Sequence, residues 1–180
     1  MTPRNVLVLP GWHGSGPQHW PTLWEQQHGY RRVEQHDWTQ PLRGDWIARL
    51  EDVVLACEER SVLVAHSLGC ILVAAWASVS RNTQRVKAAL LVAPPDTERE
   101  DIRQQLRSSW APMPLQPLPW PTVLVASQDD PYCSFERARS FAQAWDSRFI
   151  DHGRSGHINA DSGLGSWPEG HVLLQALQQD

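Results

Sequence analysis

The sequence predicts an α/β fold, a mostly parallel sheet of about six strands with helices on both faces and no large lid domain. Three observations carry this. Short β-rich apolar runs alternate with longer stretches of helical period, the pattern of a sheet covered on both sides. One central stretch, Leu68 to Ala77, is apolar on every face, as a helix buried in the middle of a domain would be. At 180 residues the chain also fits one domain, expected to span residues 1–180; a domain of that size buries about 70% of its unfolded surface.

The predicted strands are Asn5 to Leu9, Arg32 to His36, Ser61 to Ala65, Val86 to Ala93, Thr122 to Ser127 and Arg148 to Asp151. Between them, Asp45 reads as the N-cap of a helix on which Ile47, Leu50, Val54 and Cys57 recur at helical spacing. Phe135, Ala138, Ala142 and Trp145 repeat the pattern after Ser134. Near the C-terminus, Trp167 to Leu177 has Pro168 at a helix start and Leu173, Leu174 and Leu177 on one side, so it is expected to close an outer face of the sheet. There is no internal repeat. The segment Pro94 to Pro121 departs from the alternation, with prolines at 94, 95, 112, 114, 117, 119 and 121. It reads as an extended loop around one short helix, either a cover over a site or a surface connection with no further role.

The run Val62-Leu63-Val64-Ala65-His66-Ser67-Leu68-Gly69 is a strand, a sharp turn and the start of the buried helix, the setting of a nucleophile elbow. In such a turn the serine backbone is strained. The residues two before and two after it must be small because strand and helix approach closely. Ala65 and Gly69 satisfy that demand, although Ala65 stands where the G-x-S-x-G pattern has its first glycine. The alternative is an ordinary strand-to-helix turn with Ser67 as a helix cap. His66 adjoins the serine, but a side chain next to the nucleophile on a tight turn projects away from it, which suits packing or support and not a base.

A serine hydroxyl needs a base to take its proton, and the base needs a carboxylate to orient it. In this arrangement the acid and then the histidine follow the serine in chain order, each after a strand. Thr122 to Ser127 empties into Gln128-Asp129-Asp130-Pro131, and Arg148 to Asp151 into Gly153-Arg154-Ser155-Gly156-His157. Asp130, three residues past Ser127 and directly before a proline, is the expected acid, with Asp129 as the alternative. His157 is the expected base; His152 lies too near the strand end and His171 falls inside the final helix.

The first strand leads into Pro10-Gly11-Trp12-His13-Gly14-Ser15-Gly16-Pro17-Gln18-His19-Trp20, a glycine-rich turn running into a helix. Attack on a carbonyl places negative charge on oxygen, and two preorganised backbone N–H groups usually hold it. Trp12 and Leu68 are the expected donors, and Trp12, Trp20 and Trp110 are candidates for an apolar wall against a small acyl chain. His13 and His19 could suggest zinc, but they lack a Cys or carboxylate partner at ligand spacing, so no metal is expected. Neither GxGxxG nor GxxxxGK[ST] is present and no nucleotide cofactor is indicated.

The ordered set Pro-Gly-Trp-His-Gly-Ser-Gly-Pro-Gln-His-Trp, His-Ser-Leu-Gly, Ser-Gln-Asp-Asp-Pro and Gly-His-Ile-Asn resembles the small serine hydrolases of the retinoblastoma-binding protein 9 type over nearly the whole chain. The resemblance implies an α/β-hydrolase fold with little or no lid and a Ser, Asp, His triad falling on Ser67, Asp130 and His157. It implies esterase-like activity toward small acyl substrates and leaves the natural substrate open, since some members are discussed as interaction proteins.

Composition narrows the partners. The formal net charge is −4 and Arg31-Arg32 is the only adjacent basic pair, so no footprint for a nucleic-acid backbone is visible. Three cysteines without CxxC spacing, Cys57 and Cys70 lying in stretches that read as buried helix, fit a reducing cytoplasm. Met1 to Asn5 followed by only Val6 to Leu9 before Pro10 is too short for a signal peptide, and no run approaches a membrane span. The expectation is a soluble cytoplasmic serine hydrolase that cleaves a carboxylic ester or similar small acyl bond through an acyl-enzyme on Ser67. The rival is a non-catalytic interaction module on the same fold, presenting an exposed aromatic surface or the proline-rich stretch to a protein partner.

Overall fold

A computed structural model describes residues 5–179; the leader expectation for Met1 to Arg4 lies outside the described residues. Six strands, β1 (Val6–Leu9), β2 (Arg31–Arg32), β3 (Ser61–His66), β4 (Val86–Val92), β5 (Thr122–Ala126) and β6 (Arg148–Asp151), form one sheet in the order β2-β1-β3-β4-β5-β6. Every pairing is parallel. Six α-helices connect them: α1 (Trp20–His28), α2 (Arg43–Leu55), α3 (Leu68–Val79), α4 (Glu100–Gln105), α5 (Phe135–Ala144) and α6 (Pro168–Gln179). Among the described residues no helix is long and apolar enough to cross a membrane.

Because side chains alternate across a strand, each apolar run feeds two cores. Leu7, Leu9, Leu63, Leu91 and Leu124 face α2, α3 and α5, where Trp46, Leu50, Ile71, Trp76 and Phe141 complete one apolar layer. Val6, Val8, Val62, Val64, Leu90 and Val125 face the other way, onto Trp20 and Trp24 of α1 and Leu174 and Leu177 of α6. α3 is buried from Leu68 to Trp76, which accounts for its apolar character on every side. Pro168 begins α6 as expected.

Three local expectations need correction. The second strand is Arg31–Arg32, extended by one bond from the Val33 N–H to the Val8 carbonyl, and does not run from Arg32 to His36. As an edge strand it has a single neighbour, and the Asp37 carboxylate then accepts the N–H groups of Thr39 and Gln40, turning the chain away. α2 begins at Arg43 with Leu42 as cap residue, because Ser109 Oγ from across the fold accepts the Arg43 N–H at 3.0 Å. Asp45 therefore lies within the first turn, where a carboxylate still favours the positive end of the helix dipole. Cys57 lies beyond the end of α2 and is half-buried, its thiol donating to the Val53 carbonyl at 3.2 Å. Ser134 does cap α5, its hydroxyl accepting the Arg137 N–H at 3.2 Å.

The indole groups explain how so many prolines and irregular connections stay fixed. A buried indole N–H requires an acceptor, and these indoles find theirs in loops: Trp46 on Asp37, Trp110 on Pro41, Trp120 on Thr83 and Trp145 on Pro114, each at the carbonyl oxygen. The proline-rich stretch is held in this way. It buries Trp110, Met113, Leu118 and Trp120 in the first core, and Thr97 donates to the Trp110 carbonyl at 2.8 Å. Its short helix is α4.

α3 approaches the end of β1 very closely. A Cβ built on Gly69 would fall well inside the contact distance of the Leu9 carbonyl oxygen, a backbone atom that cannot swing aside. Gly69→Ala is therefore expected to destabilise the fold by about 1–3 kcal/mol, the usual range for overpacking. Urea denaturation checks this, and an unchanged midpoint would contradict so close an approach.

Candidate active site

The sheet order reverses direction at β1, whose neighbours are β2 on one side and β3 on the other. In open parallel sheets ligands bind at the carboxyl ends of strands at such a switch point. The loops leaving β1, β3, β5 and β6 at that end carry Gly11-Trp12, Ser67, Asp130 and His157.

Ser67 has φ 55° and ψ −124°, a strained conformation for a residue with a Cβ. It persists because the turn is anchored on both sides: the Ser67 N–H donates to the Val92 carbonyl, and the Cys70 N–H donates to the Ser67 carbonyl, both at 2.9 Å. The hydroxyl of Ser67 lies 2.8 Å from His157 Nε2. On the other side of that ring, His157 Nδ1 lies 3.0 Å from both carboxylate oxygens of Asp130. A carboxylate only accepts, so the ring carries its proton on Nδ1, which leaves the Nε2 lone pair directed at the serine hydroxyl. The side chains of Asp130 and His157 are 4% and 10% exposed, so the pair is largely shielded from solvent.

Asp129 is placed differently. Its carboxylate accepts the Ser127 hydroxyl and the Gly156 N–H, each at 2.9 Å, and lies 3.7 Å from the Arg154 guanidinium. The Gly156 amide and the Ser127 hydroxyl hold its carboxyl below the usual carboxylate range. It braces the loop that carries His157 and makes no contact with the ring. His152 is engaged by Ser155 Oγ and by the Trp167 indole N–H, and His171 lies in α6 against the Tyr30 hydroxyl.

An open cavity of about 430 Å³ lies over Ser67. Its lining combines apolar Trp12, Leu68, Ile102 and Leu106 with polar His13, His19, Asp101 and Asn159. Ile102 and Leu106 come from α4 and its end, so the proline-rich segment supplies a wall of the cavity. Trp12 lines the cavity, whereas Trp20 and Trp110 do not. Trp110 is fully buried against Trp46, and Trp20 is buried beneath the site, donating its indole N–H to the Ile158 carbonyl at 2.9 Å. Ile102, Leu106 and Tyr132, whose ring packs edge-on at 4.6 Å from that of His157, gave no signal in a single sequence. They reach the site only through the fold.

The backbone of the first turn abuts Ser67. A Cβ on Gly11 would come within 2.8 Å of Ser67 Cβ and 3.2 Å of the Leu68 nitrogen. Leu68 is the first residue of α3, so its N–H has no intrahelical acceptor and points out of the positive end of the helix. His13 and His19 both line the cavity, and among the described residues no group of three or more His, Cys, Asp or Glu side chains is arranged to hold a metal ion. Burial pushes the Cys133 thiol up to about 12 and raises that of Cys70 as well, so neither is an activated nucleophile.

His19 is 7% exposed, and burial lowers its pKa to about 4, a backbone hydrogen bond at Ile158 opposing the shift and nearby His157 and Arg32 adding to it more weakly. The unfolded chain thus binds a proton near pH 6.5 that the folded chain refuses until about pH 4. The stabilisation is complete above pH 6.5 and is lost as pH falls from there towards 4. Between pH 7 and pH 5 this one group is expected to remove about 2 kcal/mol of stability. His19→Gln should flatten that part of the stability–pH curve in chemical denaturation, and an equally steep curve would contradict a buried neutral imidazole.

The geometry agrees with comparisons to known proteins. The profile of the serine hydrolase family matches residues 6–176. A structure described as a YdeN-like hydrolase from Pectobacterium atrosepticum superposes with a TM-score of 0.86 at 30% identity, over 97% of this chain and 90% of that one. The ydeN gene product of B. subtilis superposes at 0.80 with 20% identity, over 98% and 100%. Thermogutta terrifontis esterase 2 shares the fold at a TM-score of 0.65 and 18% identity, over 95% and 81%. Comparison with curated protein sequences gives no match. The six-stranded parallel sheet with helices on both faces is an α/β-hydrolase fold, and the chain belongs to the serine hydrolase family.

Proposed function

We propose that the protein hydrolyses a small carboxylic ester or similar acyl substrate through an acyl-enzyme on Ser67. The observation that carries this is the unbroken line from Ser67 Oγ to His157 Nε2 at 2.8 Å and from His157 Nδ1 to Asp130 at 3.0 Å, opening on a cavity. In the forward step His157 Nε2 takes the hydroxyl proton as Oγ bonds to the substrate carbonyl carbon. Asp130 holds the Nδ1–H tautomer and stabilises the imidazolium. The N–H groups of Trp12 and Leu68 are the donors to the oxyanion, a role supported by the contact of the Gly11 turn with Ser67 and by the unpaired position of Leu68 at the head of α3. The imidazolium then protonates the leaving alcohol. A water, deprotonated by the same nitrogen, releases the acid.

The apolar wall of Trp12, Ile102 and Leu106 suits a short acyl chain. No lysine or arginine lines the cavity, so an anionic acyl group would meet no countercharge there. The binding-module alternative loses its main support, since Trp110 and Trp120 of the proline-rich stretch are buried in the core and leave no aromatic surface on it.

p-Nitrophenyl esters from acetate to hexanoate test the proposal. The wild type is expected to turn them over with an initial burst of nitrophenol near one equivalent, provided deacylation is slower than acylation. Asp130→Asn is expected to lower kcat by about 10³- to 10⁴-fold, the cost of presenting the wrong imidazole tautomer, whereas Ser67→Ala loses the burst altogether. Hydrolysis that persists in Ser67→Ala at the wild-type rate would refute the proposal.

A further inference from the structure

The loop that carries His157 has little regular structure of its own. It leaves β6 at Asp151 and passes through Gly153, Gly156 and Ile158, all with positive φ. For Ile158, whose φ is 49°, this is a costly conformation because its Cβ is branched. Yet four consecutive residues of the loop are each gripped by a side chain from outside it. The Ser155 N–H donates to Ser127 Oγ, and the Gly156 N–H to Asp129 Oδ1, both at 2.9 Å. The His157 carbonyl accepts from His66 Nε2, and the Ile158 carbonyl accepts from the Trp20 indole, again both at 2.9 Å.

We propose that His66 and Trp20 are positioning residues which, by donating to the successive carbonyls of His157 and Ile158, set the imidazole of His157 at proton-transfer distance from Ser67. The proposal rests on the hydrolase reading of Ser67 and His157. The two N–H bonds of the grip come from the end of β5, next to Asp130, and the two carbonyl bonds come from β3 and α1. The base is thereby tied to the elements that carry the acid and the nucleophile. His66 directly precedes Ser67, so any movement of the elbow is passed to the base through one hydrogen bond. Reactivity in such a site is sensitive to displacements on the order of 1 Å, which cost about 10²-fold in rate.

The chemistry of each donor suits the role. A carbonyl only accepts, so His66 must carry its proton on Nε2. Its ring is 4% exposed and packs edge-on against His19 at 4.5 Å and at a tilt against His157 at 4.9 Å. Burial first, and then its two imidazole neighbours, hold its pKa well below the ordinary value. It therefore remains a neutral donor and adds no second charge beside His157 when that ring is protonated. Trp20 is 1% exposed, packed against Trp24 and Trp167. Its indole nitrogen reaches the loop from below, out of contact with the cavity. This assigns a purpose to two residues, the histidine beside the serine and the tryptophan closing the glycine-rich turn, that the triad chemistry leaves unused.

The test compares His66→Leu, His66→Gln and Trp20→Phe with the wild type on p-nitrophenyl acetate, with folding checked by thermal denaturation. His66→Leu and Trp20→Phe each remove one donor and are expected to lower kcat 10- to 100-fold while KM changes by less than about twofold. In His66→Gln the side-chain amide nitrogen stands near the position of Nε2, so kcat should recover to within about threefold of wild type. A role in packing alone would not separate Gln from Leu in this way. If kcat in both donor-lacking variants stays within twofold of wild type, or if Gln and Leu lose rate equally while both remain folded, the clamp is wrong. Should Trp20→Phe fail to fold, the His66 pair decides alone. An inactive wild type overturns the clamp together with the hydrolase reading, whereas an active wild type with unaffected variants overturns the clamp alone.

Discussion

The positive φ of Ser67 is the constraint on which the site depends. A serine at φ 55° costs about 1–3 kcal/mol relative to a relaxed backbone. The conformation survives because β3 must pass directly into α3 within the space left by β1. That space is so narrow that Gly69 lies against the Leu9 carbonyl and Gly11 against Ser67 itself. The same crowding turns the serine hydroxyl toward His157 and brings the Gly11-Trp12 backbone beside the Leu68 N–H. The Ser67 turn, the neighbouring Gly11-Trp12 backbone and the head of α3 are thus brought together by one packing problem, solved by glycines where any side chain would collide.

The sheet converts sequence separation into proximity. Ser67 and His157 are ninety residues apart in the chain, yet their side chains meet at 2.8 Å, because in a parallel sheet the carboxyl ends of β3 and β6 lie on the same side. Two apolar layers pack the sheet between helices, and the loops around it are not left to themselves. Indole N–H groups fasten them to the core at Asp37, Pro41, Thr83, Pro114 and Ile158. These five tryptophans hold irregular backbone, each large ring filling the core while its indole N–H donates to a carbonyl in a connecting segment.

Much of this was legible in the sequence because it depends on local rules. Apolar runs located β1, β3, β4 and β5 to within a residue, the short Phe149-Ile150 pair located β6, and the burial of α3 from Leu68 to Trp76 followed from its uniform apolarity. The tight turn at Ser67 followed from small residues on either side of a serine between strand and helix, and chain order singled out Asp130 and His157, which the fold brings beside it. What was not legible depends on contacts between distant segments. β2 ends early because Asp37 captures backbone amides, and α2 starts early because Ser109, more than sixty residues away, accepts the Arg43 N–H. Trp20 and Trp110 looked like substrate contacts only because aromatic side chains suit both a pocket and a core, and composition does not distinguish the two. The cavity wall from Ile102 and Leu106 and the grip of His66 on the His157 carbonyl exist only once the chain has closed.

The central claim is that Ser67 is an activated nucleophile open to the cavity above it. The most direct measurement is treatment of the folded protein with a fluorophosphonate, with the adduct located by mass spectrometry in the wild type and in Ser67→Ala. The account predicts one phosphonyl group on Ser67 and none on the variant. An unlabelled, folded wild type, or an adduct on another residue, would contradict it.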